Sequence, residues 1–157
     1  MLAPSSTKWD KKADVVVIGY GLAGAVTAIT AHDAGAKVLV LEKQPLGSHY
    51  TNSSLSGGLF FCPDDVQGAI NYMEALYRVE GDMSWTEQDI IRVFVEYASR
   101  NKSWLEKQGC EITPSPNIGD HTSVPGAASV LSYHVRGGGR RMMDTTYQQA
   151  RARGIEV

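Results

Sequence analysis

Asp14–Lys43 reads DVVVIGYGLAGAVTAITAHDAGAKVLVLEK. It opens on the apolar run Val15–Ile18, whose β-branched residues read as a buried parallel strand. Gly19, Gly21 and Gly24 follow with the spacing G-x-G-x-x-G. An alanine-rich helical segment comes next, then Gly35, then a second apolar run, Val38–Leu41, closed by Glu42. Strand, glycines, helix, strand and acidic residue in this order form the dinucleotide-binding fingerprint. Gly19 allows the tight turn out of the strand, Gly21 lets backbone approach a pyrophosphate, and Gly24 lets the helix pack closely on the strand. The N–H groups at the helix start would hold phosphates. Glu42, at the end of the second strand, would accept bonds from ribose hydroxyls. Ala28 keeps the helix face toward the sheet small.

The rest of the composition bounds the function. At 157 residues the chain has the size of about one domain. Hydrophobic residues make up 43% and charged residues 20%, which excludes a disordered chain. A net charge of −2 offers no electrostatic case for nucleic acid or an anionic membrane. No apolar run approaches the ~20 residues that span a bilayer. The start, MLAPSSTKWDKK, lacks the apolar core of a secretory signal. Cys62 and Cys110 have no metal-like spacing and fit a reducing compartment. The expectation is a cytoplasmic protein with no metal site.

Residues 1–13 read as a polar lead-in, with Lys11 and Lys12 as solvated charges beside the first strand. After Lys43, Gln44–Asp65 reads QPLGSHYTNSSLSGGLFFCPDD and has no helical period, so a long loop with turns is expected. Its small residues, Asn52–Gly58, suit close backbone approach to a flat ligand, or equally a serine-rich surface loop. Val66–Val79 has apolar residues at helical spacing, with Gly81 and Asp82 as its stop. A second helix is expected from Thr86, capped by Thr86 and Asp89, through Leu105 to a stop at Gly109. Ile90, Ile91, Phe94, Val95, Tyr97 and Trp104, with Trp85 before them, read as core. Glu111–Ile118 is irregular or edge-like because of Pro114 and Pro116. A short strand is expected over Val130–Val135, a break at Gly137–Gly139, and a last helix over Met142–Arg153. Ile155–Val157 read as the opening of another strand. The 157 residues are therefore expected to be the amino-terminal part of a longer protein.

Several of these segments carry a family likeness. The chain from Asp14 onward resembles the FAD-dependent fumarate reductase / succinate dehydrogenase flavoprotein family, which includes the 3-ketosteroid dehydrogenases. The fingerprint is shared with many FAD proteins. NSSLSGGLFFCP, Asn52–Pro63, is similar to the family's second flavin segment, and its continuation is most like the ketosteroid dehydrogenases. WLEKQG, Trp104–Gly109, and SYHVRGGGRRMMDTTYQQARARGIEV, Ser132–Val157, complete the likeness.

The resemblance implies an α/β Rossmann-type FAD-binding domain with a parallel sheet, spanning 14–157 and incomplete without the cap and carboxy-terminal regions. It implies FAD as cofactor. Gly19, Gly21, Leu22, Ala23 and Gly24 would cradle the pyrophosphate. Glu42 and Lys43 would flank the adenosine ribose. Asn52, Ser53, Ser56, Gly57 and Gly58 would line the pyrophosphate and flavin edge, with an N–H near Gly57 or Gly58 facing flavin N5 or O4. Pro45–Tyr50 stands where the family commonly has a Gly-Gly.

The implied activity is hydride transfer between flavin and an activated C–C bond of a small unsaturated acid or a ketosteroid-like substrate. The family's catalytic Arg or Tyr lies in the cap and carboxy-terminal regions, so the catalytic residues are unknown and the 157 residues alone are expected to be inactive. The expected partners are a small-molecule substrate and the remainder of the oxidoreductase or a redox partner. His134 and Arg136 lie where family members carry a substrate-contacting His, but the reading favours an ordinary or satisfied histidine. Cys62 reads as a buried, inert thiol, and His32, His49 and His121 receive no role. The rival readings are a non-catalytic FAD-binding module and an NAD-dependent dehydrogenase domain.

Overall fold

The computed structural model describes residues 8–45, 50–79, 88–115 and 121–157. They form two compact units. Unit one holds the strand β1, Val15–Ile18, the helix α1, Leu22–Asp33, the strand β2, Val38–Leu41, and the segment Thr146–Val157. Unit two holds the described residues between Tyr50 and Thr145.

In unit one, β1 and β2 pair in parallel, from Val15 with Val38 to Ile18 with Leu41. A right-handed crossover through a helix is the rule for such a pair, and α1 is that helix. It packs on both strands. Its Ala25, Ala28 and Ile29 are fully buried, and Val17, Val38 and Val40 of the strands are buried beside them. Small residues on α1 permit this close approach. β2 gains a second parallel neighbour at Glu156, whose carbonyl accepts the Val40 N–H at 2.9 Å. Of the strand opening expected over Ile155–Val157, the structure has a single parallel bridge at Glu156. Lys11, expected to be merely solvated, pairs with the Glu156 carboxylate.

The expectation that β1 is buried throughout needs correction. Val17 is buried, but Val16 and Ile18 are 52% and 86% exposed, and Leu41 is exposed beside them. Side chains alternate across a strand, and only the face toward α1 is covered.

In unit two, β3, Leu59–Phe61, and β4, Ile112–Pro114, flank the central β5, Ser132–Val135. Both pairings are antiparallel, with Leu59 and Thr113 opposite His134. Pro114 ends an edge strand, the place where a missing N–H does no harm. A short helix α2, Asn52–Leu55, precedes β3. Among the described residues three helices lie between β3 and β4: α3, Val66–Val79, α4, Gln88–Ala98, and α5, Asn101–Gln108. Ala69 and Ile70 of α3 pack with Ile91 and Val95 of α4, backed by Phe61, Val66 and Met73. The helix α6, Gly138–Ala152, begins in unit two, and its residues from Thr146 belong to unit one.

Four further expectations are corrected here. The supposed loop after Lys43 contains α2 and β3. α2 has no apolar period; it is made by reciprocal hydrogen bonds between Thr51 and Ser54, each hydroxyl accepting the other's N–H at 3.1 and 3.0 Å. The expected single helix through Leu105 is two. Ser99 donates its hydroxyl to the Glu96 carbonyl at 2.7 Å, and the polar run Ser99–Asn101 lets the backbone turn instead of continuing. α6 starts at Gly138, four residues before its expected start. Finally, α4 is not core all round: Ile90, Val93, Phe94 and Tyr97 are 59%, 51%, 52% and 64% exposed, while Ile91 and Val95 are buried. The expected Thr86 cap, Trp85, the Gly81–Asp82 stop and His49 lie outside the described residues.

Candidate cofactor site

In unit one the fingerprint glycines meet the strand end. Gly19 has φ of +95°, a left-handed conformation that favours glycine. Its N–H donates to the Leu41 carbonyl at 2.7 Å, so the turn is tied to the end of β2. Gly24 has no room for a side chain: a Cβ there would overlap the Gly19 carbonyl and stand 3.4 Å from Val17 Cγ1. Gly21 is the N-cap of α1, with φ −74° and no side chain capping the helix. Leu22, Ala23 and Gly24 thus present the first-turn N–H groups of a twelve-residue helix whose first turn carries no acidic residue. Such a terminus favours an anion through both its donors and its dipole.

Glu42 completes this half. One carboxylate oxygen accepts the Tyr20 N–H at 2.7 Å and the other accepts the Gln44 N–H at 2.9 Å. These bonds fix the acid beside the glycine turn, as an acceptor for diol hydroxyls must be fixed. Lys43 is exposed next to it. Tyr20 itself stacks on Tyr147, with ring centroids 4.4 Å apart, and the Tyr147 hydroxyl donates to the Tyr20 carbonyl. Burial pushes the Tyr20 phenol above its ordinary pKa, with Arg151 opposing. The residue between the first two glycines is thus held from both sides. The sequence reading gave Tyr20 no role, and its only sequence signal was its place inside the motif.

In unit two, Asn52, Ser56 and Gly57 are exposed, Ser53 is half-buried and Gly58 is buried. The segment is knit by its own polar groups. The Ser56 hydroxyl donates to the Ser53 carbonyl at 2.8 Å and accepts the Gly58 N–H at 3.2 Å. The Gly57 N–H makes no hydrogen bond among the described residues. The structure therefore brings the five residues of this segment together, and separately brings together the seven residues of the glycine–acid half.

The remaining sequence candidates have structural partners. His134 Nε2 lies 2.9 Å from the Thr113 hydroxyl. Arg136 donates to Glu111 at 2.7 Å on the surface. Cys62 is buried with its thiol donating to the Ser99 carbonyl at 3.4 Å. Cys110 is buried too, and burial pushes its thiol pKa up. Among the described residues no group of His, Cys, Asp or Glu could hold a metal ion, and no helix is long and apolar enough to cross a membrane.

The glycine turn fits a dinucleotide cofactor. A left-handed glycine at 19, no room for a Cβ at position 24, uncapped helix donors and a fixed acid at the strand end supply what pyrophosphate and ribose require. This defines a Rossmann-type dinucleotide-binding fold. The chain belongs to the FAD binding domain family, whose profile matches residues 14–157.

The chain is 34% identical over 135 residues to the 3-oxo-5-alpha-steroid 4-dehydrogenase of Comamonas testosteroni, covering 80% of this chain and 24% of that protein. It is 29% identical over 154 residues to the fumarate reductase (cytochrome) of Shewanella frigidimarina, covering 92% and 25%. The crystal structure of 3-ketosteroid-delta4-(5alpha)-dehydrogenase from Rhodococcus jostii RHA1, in complex with 4-androstene-3,17-dione, superposes with a TM-score of 0.74 at 25% identity, covering 98% of this chain and 39% of that one. The chain spans about a quarter of the length of these two curated relatives.

Proposed function

We propose that this chain is the FAD-binding part of a flavin-dependent oxidoreductase that acts on an activated C–C bond of a ketosteroid-like substrate or a small unsaturated acid. Residues 14–157 are the amino-terminal part of the FAD-binding domain, and residues 1–13 its lead-in. One observation carries the reading: the Glu42 carboxylate bonded to the Tyr20 N–H inside a glycine turn that excludes any Cβ at position 24. Gly19, Gly21, Leu22, Ala23 and Gly24 cradle the pyrophosphate, with donors from the first turn of α1. Glu42 and Lys43 flank the ribose. Asn52, Ser53, Ser56, Gly57 and Gly58 meet the pyrophosphate and flavin edge, where the Gly57 N–H is the available donor.

Bound flavin supplies reversible hydride chemistry at the substrate carbon. This chain's own residues bind and orient the cofactor. The acid or base that handles the paired proton is not assigned among them. The steroid side of the substrate class is favoured by the 34% identity to a steroid dehydrogenase and by SGGLFFCP. The fumarate reductase relative supports the acid side. The protein's partners are the small substrate and the remainder of the oxidoreductase or a redox partner, and its compartment is the cytoplasm.

The test is an absorbance spectrum of the purified chain between roughly 300 and 550 nm, before and after denaturation, with and without added FAD. Flavin bands that shift on binding and are released on unfolding are expected. A chain that ignores FAD in titration but binds a nicotinamide dinucleotide sinks the proposal.

A further inference from the structure

The triple glycine Gly137–Gly139 has no part in the site described above, yet its contacts lead there. The Gly139 N–H, one of the first-turn donors of α6, gives its hydrogen bond to the Ser56 carbonyl at 2.9 Å. A Cβ on Gly139 would overlap the Ser53 carbonyl and the Ser56 hydroxyl, and would stand 2.9 Å from the Ser56 carbonyl. The exclusion is reciprocal. A Cβ on Gly58 would stand 2.7 Å from the Gly138 carbonyl carbon and 2.9 Å from the Gly139 nitrogen. Backbone therefore lies on backbone along this contact, and neither side can retreat by rotating a side chain.

Gly138 and Gly139 are glycines for different reasons. Gly138 has φ of +71°, with ordinary contact distances around its missing Cβ. Gly139 has no left-handed φ, so its constraint is space alone. The bonds within Asn52–Gly58 shape the segment but do not locate it. Among the described residues its hydrogen bonds to the outside are the Gly139 N–H to Ser56 and the Val135 N–H to the Gly58 carbonyl at 3.1 Å. Both come from the strand–turn–helix run that contains the glycines.

We propose that Gly139 is a positioning residue for the cofactor segment: it touches no cofactor, but only glycine there lets the start of α6 seat Ser53–Gly58 in its binding shape. The importance of this for flavin rests on the function proposed above; the seating itself does not.

The experiment is hydrogen exchange on the FAD-free chain and its Gly139→Ala variant, followed by FAD titration of both. Gly154→Ala is the control, since Gly154 has φ of +70° but open space around it. The expected result is exchange of the hydrogen-bonded Ser54, Leu55, Ser56 and Gly58 amides accelerated on the order of ten-fold or more in Gly139→Ala, with β1, α1 and β2 unchanged. Gly154→Ala leaves that segment as it was. Unchanged segment exchange, or acceleration spread evenly over the chain, overturns the proposal.

If Gly139→Ala does not fold, the wild-type chain decides. The Gly139 amide is expected to exchange in step with the segment amides, and exchange in step with the rest of α6 instead overturns the seat. In the titration, Gly139→Ala is expected to bind FAD about ten-fold or more weakly than wild type. A wild type that binds no FAD defeats the proposed function, while the exchange data still decide the seat.

Discussion

The Glu42 carboxylate accepts the Tyr20 N–H at 2.7 Å, joining the end of β2 to the middle of the glycine turn. The acid therefore serves the turn as well as any ribose. Glu42→Ala removes an acceptor from two backbone N–H groups, each such charge-assisted bond contributing about 1.5–3 kcal/mol. The expected outcome is at least ten-fold weaker FAD binding with a lower Tm, and Glu42→Gln falls between. Fluorescence titration and thermal melts check this; unchanged affinity would reduce Glu42 to a structural tie.

Gly21 and Gly24 separate binding from folding. Gly21 has an extended conformation open to any residue, with φ −74° and ψ −174°. Gly21→Val is expected to fold with near wild-type stability and lose flavin retention, because the branched side chain stands where pyrophosphate would lie. Gly24→Ala drives a methyl into the Gly19 carbonyl. It is expected to cost about 3 kcal/mol or more and to lose flavin as well. Urea unfolding beside flavin content resolves the two patterns, and a Gly21→Val chain that keeps its flavin counts against the cradle.

Asp33 and Arg153 form a two-pronged pair within unit one, Nε to Oδ1 at 2.7 Å and Nη2 to Oδ2 at 3.0 Å. The Arg153 hydrogen bonds are the main cause that lowers the Asp33 pKa from 3.8 to about 2, with burial opposing and His32 assisting. A carboxyl with a lowered folded pKa stabilises fully above its unfolded pKa, and that contribution is lost as pH falls from about 3.8 toward 2. The Asp33 side chain is 42% exposed, so solvent screening limits the effect to about 1 kcal/mol. Asp33→Asn is expected to be less stable than wild type at pH 6 and to converge with it near pH 2. A gap that persists at pH 2 refutes the assignment.

The two stripes of α4 respond differently to charge. Val95 is fully buried, so Val95→Asp is expected to prevent folding of unit two. Val93 is half-exposed, so Val93→Lys is expected to change stability by about 0.5 kcal/mol or less. Circular dichroism and urea melts distinguish them, and similar losses for both would mean that the outer stripe is covered.

Both cysteines are buried. Neither is expected to react with a thiol reagent until the chain opens or unfolds. Rapid modification of Cys62 in the folded chain would place it at an open surface.

What could be read from the sequence divides along physical lines. The turn at Gly19, the tight packing at Gly24 and the acid at Glu42 follow from spacing within one βαβ unit, and local spacing is what a sequence displays. α2 escaped notice because its signal is the exchange of bonds between Thr51 and Ser54, not a period of apolar residues. The break at Ser99 was hidden by the continuing apolar period across it. Phe94 and Tyr97 read as core because periodicity identifies an apolar stripe without saying what covers it. Gly139 owes its identity to Ser53 and Ser56, far earlier in the chain, and a run of three glycines says only that a turn is near.

β2 has two neighbours with very different histories. β1 reaches it through α1 alone, whereas Glu156 reaches Leu39 only after the whole of unit two has intervened. Topologically, unit two is an insertion between β2 and the residue that bridges to it. Closing a long insertion costs chain entropy that grows only logarithmically, about 0.6 kcal/mol per doubling of length. Unit two can thus be lengthened or trimmed over evolution at little thermodynamic penalty to the sheet. Kinetics separates the two neighbours more sharply, because near contacts form before distant ones. During synthesis, the β1–α1–β2 unit of the dinucleotide turn can therefore assemble before the segment that bridges to β2 from beyond unit two has been made.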